Sequence, residues 1–281
     1  MKEKSSKLGH IIRNIAIVII LLFAIGLFVY IFVSAFKPLD EVMTRARFLP
    51  QNPTFDNFYR LLFRNTPSRN FLRFFSNSLF ISMVTALITA IVSALAGYGF
   101  SRHKYIGKNT VMKALLLIYV FPTIILLVPM FKIFSDIGII DNYLSLIIMY
   151  VALAAPFCTW ILISFFDSIP PSIEEAAKVD GAGTWNTLTR ILLPLITPGL
   201  MTVIAFSFIT SWGEFMFASI FIRTSMKNTM TLGLADFTAD QYIEWGQLLA
   251  GSVIVIVPVL ILFLPVAGNF IKGFIAGATK E

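Results

Sequence analysis

The sequence predicts an all-α membrane protein with six transmembrane helices. Three observations predict it. The 281 residues are 57% hydrophobic and only 13% charged, about half the charge of a soluble domain. Several apolar runs reach the ~20 residues needed to cross a bilayer core. The alternation over ~10 residues that marks a lipid-embedded barrel is absent, which leaves the helix as the way to satisfy backbone groups in lipid.

The candidate spans are Ile15–Phe36, Ser78–Phe100, Lys113–Phe131, Tyr143–Phe166, Pro198–Phe221 and Leu248–Phe270, none with Lys or Arg in its middle. Pro156, Pro258 and Pro265 fall inside spans, where kinks are tolerated. Lys2, Lys4, Lys7 and Arg13 precede the first run, and Val33-Ser34-Ala35 faintly resembles a cleavage site. That run exceeds the roughly 7–15 apolar residues of a signal peptide, so an uncleaved first span is expected.

Basic residues set the orientation. They gather in residues 1–14 and at Arg102, Lys104, Lys108 and Lys113, whereas the third-to-fourth connection holds only Lys132. Both termini are therefore expected in the cytoplasm. The first connection opposes this with Lys37, Arg45, Arg47, Arg60, Arg64, Arg69 and Arg73. The last four alternate with Phe and Leu, as in an interfacial helix with snorkelling arginines. The net charge of +7 thus reflects span flanks and does not argue for nucleic acid.

The expected organisation is a cytoplasmic segment 1–14, a first helix 15–36, an extracytoplasmic loop 37–73 with an interfacial helix, a five-helix core 74–270 containing loop 167–197, and a cytoplasmic tail 271–281. No internal or inverted repeat is visible. The lone Cys158 reads as a small packing residue, and His10 and His103 lie far apart. No catalytic residue and no metal site is predicted.

Loop 167–197 is unusually well built for so apolar a chain. Pro170-Pro171 ends the fourth span, and Ser172 lies three residues before Glu175, the spacing of a capping box. A short helix then runs to about Val179, exposing Ala176 and Ala177 to a close-approaching partner. Asp180-Gly181 ends it, glycine supplying a left-handed C-cap. Thr184 can cap a second helix whose Trp185, Leu188, Leu192 and Leu195 share a face, and Pro194 and Pro198 turn the chain back to the membrane. Spacing alone leaves two readings open: a helix that tidies the loop, or a docking element. Glu175 likewise reads either as a cap for its own helix or as a contact to a partner. Glu214, in the outer part of the fifth span, is a functional candidate by its depth, and Trp212 and Phe215 could offer aromatic faces to a solute.

The string Glu175-Ala176-Ala177, Asp180-Gly181-Ala182, Ile191-Leu192-Leu193-Pro194 resembles the EAA loop of ABC importer permeases. Further stretches look like landmarks of the sugar-importing branch: Ser34-Ala35-Phe36-Lys37-Pro38, Asn77-Ser78-Leu79, Ala96 to Arg102, Gly138 to Asp141, Trp212 to Ala218 and Phe270 to Ala278. The resemblance is to the six-span permease of maltose and multiple-sugar systems. Gly213 and Trp185 are mild departures, standing where Asn and Phe are usual.

The resemblance implies a type I importer permease fold in a prokaryotic cell membrane. It implies coupling to an ATPase through Glu174, Glu175, Ala176, Ala177, Asp180, Gly181, Ala182 and Pro194. It also implies a cytoplasmic ATP-binding subunit dimer, a sister permease and an extracytoplasmic solute-binding protein, and a sugar pathway near Trp212, Glu214 and Phe215. This chain would bind no cofactor, with ATP and Mg held by the partner ATPase. In keeping with that, the chain lacks the G-x-x-x-x-G-K-[ST] phosphate loop; Gly107-Lys108-Asn109 lacks both the upstream glycine and the hydroxyl residue. Relatives within the branch that carry glycerol-phosphate or polyols are the alternative. A stand-alone secondary transporter would show intramembrane charge pairs or broken half-helices, of which the sequence offers mainly Glu214.

Overall fold

The computed structural model describes residues 7–44, 47–64, 70–239 and 244–265. Among them every regular element is helical: α1 (Lys7–Ser34), α2 (Leu39–Thr44), α3 (Asp56–Phe63), α4 (Phe71–Arg102), α5 (Lys108–Val120), α6 (Leu127–Asp136), α7 (Tyr143–Asp167), α8 (Pro171–Val179), α9 (Thr184–Thr187), α10 (Leu193–Leu195), α11 (Thr197–Trp212), α12 (Met216–Phe221), α13 (Met230–Ala239) and α14 (Trp245–Phe263), with short 3₁₀ and π turns between. Four helices are individually long and apolar enough to cross a membrane, and six spans result when each of two bent helix pairs counts as one.

The bends are where the structure departs from the sequence expectation. The run Lys113–Phe131 is not one helix. α5 stops before Phe121, whose backbone is extended (φ −65°, ψ 134°), and the chain turns by 91° into the helical segment Thr123–Asp136. Pro122 explains it: proline pushes its predecessor out of the helical region and offers no N–H to the preceding turn. The run Pro198–Phe221 also divides. α11 ends at Trp212, the chain is non-helical through Gly213–Phe215, and α12 follows. Upstream, Thr184–Leu195 meets α11 at 78°. The sixth run begins earlier than expected, at Trp245, and its expected end at Phe270 lies outside the described residues. The four arginines of the expected interfacial helix have different surroundings. Arg60 pairs with Asp56 one turn earlier within α3 at 2.6 Å, Arg64 caps that helix, Arg73 belongs to the first turn of α4, and Arg69 lies outside the described residues.

The chain divides into two compact units. The first comprises the described residues before 66 and residues 234–257. Its α1 is exposed over most of its apolar length. The Ser34-Ala35-Phe36-Lys37-Pro38 stretch closes α1 with a buried polar knot. Lys37, 2% exposed, donates to Ser34 Oγ (3.0 Å) and to the Arg47 carbonyl (2.7 Å), and lies over the Tyr30 ring at 4.7 Å. Asn57 Nδ2 donates to the carbonyls of Ala35 and Lys37, both at 2.8 Å. The Glu41 carboxylate accepts the Gln51 and Asn52 amides. Lys37, counted above as a loop charge, is thus an internal donor and not a charge available to the membrane surface.

The second unit comprises residues 67–233 and 258 onward, as far as they are described. Its frame is α4 packed along α7 and α11. One stripe of α4 is small or hydroxylic and buried: Ser78, Ser82, Thr85, Ala86, Thr89, Ala90, Ser93, Ala94 and Gly97. In lipid the helices gain nothing from leaving water, so close approach of small residues holds them together. Cys158, fully buried, sits in the cluster that joins Ala90, Ala94, Leu162, Phe166, Leu192 and Val203. A second cluster forms around Phe134, Leu146, Met149, Tyr150, Phe217 and Phe221.

Candidate functional site

Loop 167–197 folds into a projecting helix with one face bolted down. α8 starts at Pro171, whose fixed φ suits the first helical position; Pro170 precedes it in extended conformation with no side-chain cap. The expected capping box is therefore not formed. With the helix beginning at Pro171, Ser172 lies inside the first turn, and Glu175 is exposed rather than folded back. The C-terminus behaves as expected. Gly181 has φ +81°, its N–H bonds to the Lys178 carbonyl (3.0 Å), and the Ala182 N–H reaches back to the Ala177 carbonyl (2.9 Å), the paired bonds of a Schellman motif.

The site residues separate by exposure. Glu175, Ala176, Lys178, Val179, Asp180 and Gly181 face outward, and Ala182 is half-buried. Ala177, expected to be exposed, is buried beneath the helix at 5%, since it lies on the face that carries Glu174. Glu174, expected with the coupling residues, also turns inward. It pairs with Arg102 at the end of α4 through Nε, and Tyr98 Oη donates to its other oxygen at 3.5 Å. Arg102 Nη2 also donates to the Ile169 carbonyl at 2.9 Å. Ser101 Oγ donates to the Asp167 carboxylate at 2.6 Å and accepts from Arg102 Nη1 at 3.1 Å. The sequence reading missed this network, although both partners lie in stretches it singled out; nothing in the spacing of either stretch says that they meet.

The second helix of the loop also differs from expectation. Gly183 precedes it and no side-chain cap forms from Thr184. Leu188–Leu192 forms a π turn in which the Leu193 N–H reaches the Leu188 carbonyl. The extra residue per turn rotates the helix about its axis, so Leu188 and Leu192 are buried while Trp185 and Leu195 are exposed. The turn lies just before Pro194, which cannot donate to the helix. Pro194 itself is exposed, and its carbonyl accepts the Thr197 hydroxyl at 2.8 Å.

The outer candidates, Trp212, Glu214 and Phe215, have different surroundings. Trp212 is 2% exposed, stacked on Phe208 with centroids 5.3 Å apart and set edge-on to Phe75. The Glu214 carboxylate accepts the Tyr150 hydroxyl (2.6 Å) and the amides of Phe217 (2.8 Å) and Ala218 (3.1 Å); its carbonyl accepts the Thr231 hydroxyl. It anchors the first turn of α12. Phe215 is the one of the three whose ring is substantially exposed.

Asp141 organises the neighbouring loop. It holds a left-handed φ of 57°, and its carboxylate accepts the amides of Arg223 and Thr224, the Thr224 hydroxyl and Lys227 Nζ. Burial pushes its pKa up, but the hydrogen bonds from Thr224, Arg223 and Lys227 outweigh that and hold it well below the usual carboxylate range.

The model of the family described as "Binding-protein-dependent transport system inner membrane component" matches residues 86–269. An inner membrane ABC transporter permease of Escherichia coli, YcjP, is 33% identical, covering 99% of this chain and 98% of its own. The trehalose/maltose transport system permease MalG of Thermococcus litoralis is 34% identical, covering 99% of each. The trehalose transport permease SugB of Mycobacterium tuberculosis is 32% identical over 89% of this chain and 90% of its own. In fold, the chain is similar to a chain from the crystal structure of a bacterial alginate importer, at a TM-score of 0.79 and 23% identity, covering 96% of this chain and 99% of that one.

Proposed function

Since the chain belongs to the family of inner membrane components of binding-protein-dependent transport systems, we propose that it is one permease half of a sugar importer driven by a separate ATPase. Relatives of near-equal length named for trehalose and maltose transport support a sugar or oligosaccharide as the solute. The family's description as an inner membrane component supports a prokaryotic cell membrane, and its dependence on a binding protein supports delivery of the sugar from outside. The basic residues of 1–14 support both termini in the cytoplasm, and a sister permease would complete the pathway. The chain does no bond chemistry. ATP and Mg belong to the ATPase pair.

The observation that carries the coupling role is the shape of α8. This nine-residue helix exposes Glu175, Ala176, Lys178 and Val179 while its opposite face is tied to α4. It is built to receive a push. ATPase closure would press on the exposed face, with Asp180, Gly181 and Ala182 fixing its angle, and the spans would rock between inward- and outward-facing arrangements. Glu175 is free to meet the ATPase because it caps nothing.

Gly181→Val tests this. A β-branched residue at φ +81° is strained, whereas a Cβ there meets no atom within 4 Å, so the effect is on helix angle and not on packing. We expect normal membrane levels but loss of ATPase co-purification and of uptake across a panel of labelled sugars. Unchanged uptake and association at equal expression would refute the role of α8.

A further inference from the structure

The exposed face of α8 explains how a push is received; it does not explain how the push reaches the bundle. α8 joins α7 only through Ser168-Ile169-Pro170. Its buried residues are Glu174 and Ala177 alone, its one further apolar anchor is the half-buried Ile173 against the Leu162–Leu192 cluster, and no side chain caps its start. A force on Glu175 or Lys178 would swivel so lightly seated a helix about that turn unless something else held it.

The geometry points to Arg102 as a positioning residue that makes α4 follow α8, an inference that rests on the coupling reading of α8. Two consecutive residues at the end of α4 hold every segment around the turn. Ser101 grips Asp167, the last residue of α7. Arg102 spans the Ile169 carbonyl in the turn and Glu174 in the first turn of α8. The ion pair is largely removed from solvent, with side chains 13% and 9% exposed, so it is not loosened by solvent screening as a surface pair is. Glu174 also lies at the positive end of the helix dipole. The guanidinium serves carboxylate, hydroxyl and carbonyl from three separate nitrogens, Nε, Nη1 and Nη2, whereas a lysine's three donors radiate from a single nitrogen. α4 in turn runs for 32 residues beside α7 and α11, so displacement at Arg102 is delivered along the frame of this unit.

The test follows distance between α8 and α4 in the purified complex with its ATPase. Spin labels go on Lys178→Cys and Leu95→Cys, both exposed, in a Cys158→Ala background. In the parent the distance should be narrow and unchanged by ATP. Arg102→Ala should at least double its width and let ATP shift it. Glu174→Gln, which keeps the volume and one acceptor, should fall between. Arg102→Lys, which keeps the charge but loses the fork, should also widen the distance and let ATP shift it, a response to ATP that a merely structural role would not give. A narrow, ATP-insensitive distance in Arg102→Ala or in Arg102→Lys would overturn the proposal. The coupling reading fails separately: Gly181→Val would then retain its ATPase and uptake whatever the labels report.

Discussion

Tyr150 in α7 donates its hydroxyl to the Glu214 carboxylate across 2.6 Å, and the same carboxylate takes the amides of Phe217 and Ala218. One side chain thus ends the break after α11, starts α12 and ties both to α7. Glu214→Ala removes a helix cap, about 1 kcal/mol, and strands the buried Tyr150 hydroxyl, about 1–3 kcal/mol more. Tyr150→Phe removes only the phenolic bond and leaves the amides satisfied. We expect a clear fall in melting temperature of the purified complex for Glu214→Ala and a much smaller one for Tyr150→Phe. Equal falls would show that the amide bonds contribute nothing.

Asp141 predicts an acid limit to stability. Its carboxylate titrates far lower when folded than the ~3.9 of a free Asp, because Thr224, Arg223 and Lys227 donate to it. A depressed carboxylate contributes stability in full above the unfolded value and loses it as pH falls towards the folded one. The contribution should be flat from about pH 5 to 8 and shrink below about pH 4. Asp141→Asn should cost about 2 kcal/mol at neutral pH, and its deficit against the parent should narrow on acidification. Melting curves of the two proteins between pH 3 and 8 check this; a deficit that does not change with pH would remove the charge from the account.

The fold class and the short helix of loop 167–197 are legible because both rest on local signals. Apolar run length marks the membrane helices, and Asp180-Gly181 marks the α8 stop through a conformation glycine adopts cheaply. The α8 start is less legible for an equally local reason: Pro171, at the first helical position, pre-empts a cap by the serine that directly follows it. The breaks at Phe121-Pro122 and Gly213–Phe215 were hidden because lipid demands length of an apolar run, not straightness. Glu174 and Arg102 lie 72 positions apart, and Asp141 and Thr224 lie 83 apart. Such pairs are made by helix packing, which one sequence does not encode at any fixed spacing.

The small-residue seam of α4 makes a prediction that distance alone gets backwards. A Cβ at Gly199 would fall 2.6 Å from the Phe165 ring, whereas at Gly97 it would lie 3.0 Å from Leu162 Cβ and 3.4 Å from the Ile163 amide. The Gly199 contact is shorter, but its neighbour is the ring of a half-buried side chain, Cγ and Cδ2 included, which rotation about χ1 moves as a whole. The Gly97 contact is with backbone and with an atom fixed to it, so relief requires α4 and α7 to separate. Packing is what holds these helices together in lipid, and overpacking a closed core costs about 1–3 kcal/mol. Gly97→Ala should therefore destabilise the purified complex more than Gly199→Ala. Gly97→Val should be worse again, since its added methyls have no direction in which to go. Leu162→Ala leaves the offending Cβ in place and should not rescue Gly97→Ala, whereas Leu162→Gly should do so in part. Melting temperatures of these variants decide it, and a larger loss at Gly199 would mean that Phe165 is locked in its rotamer.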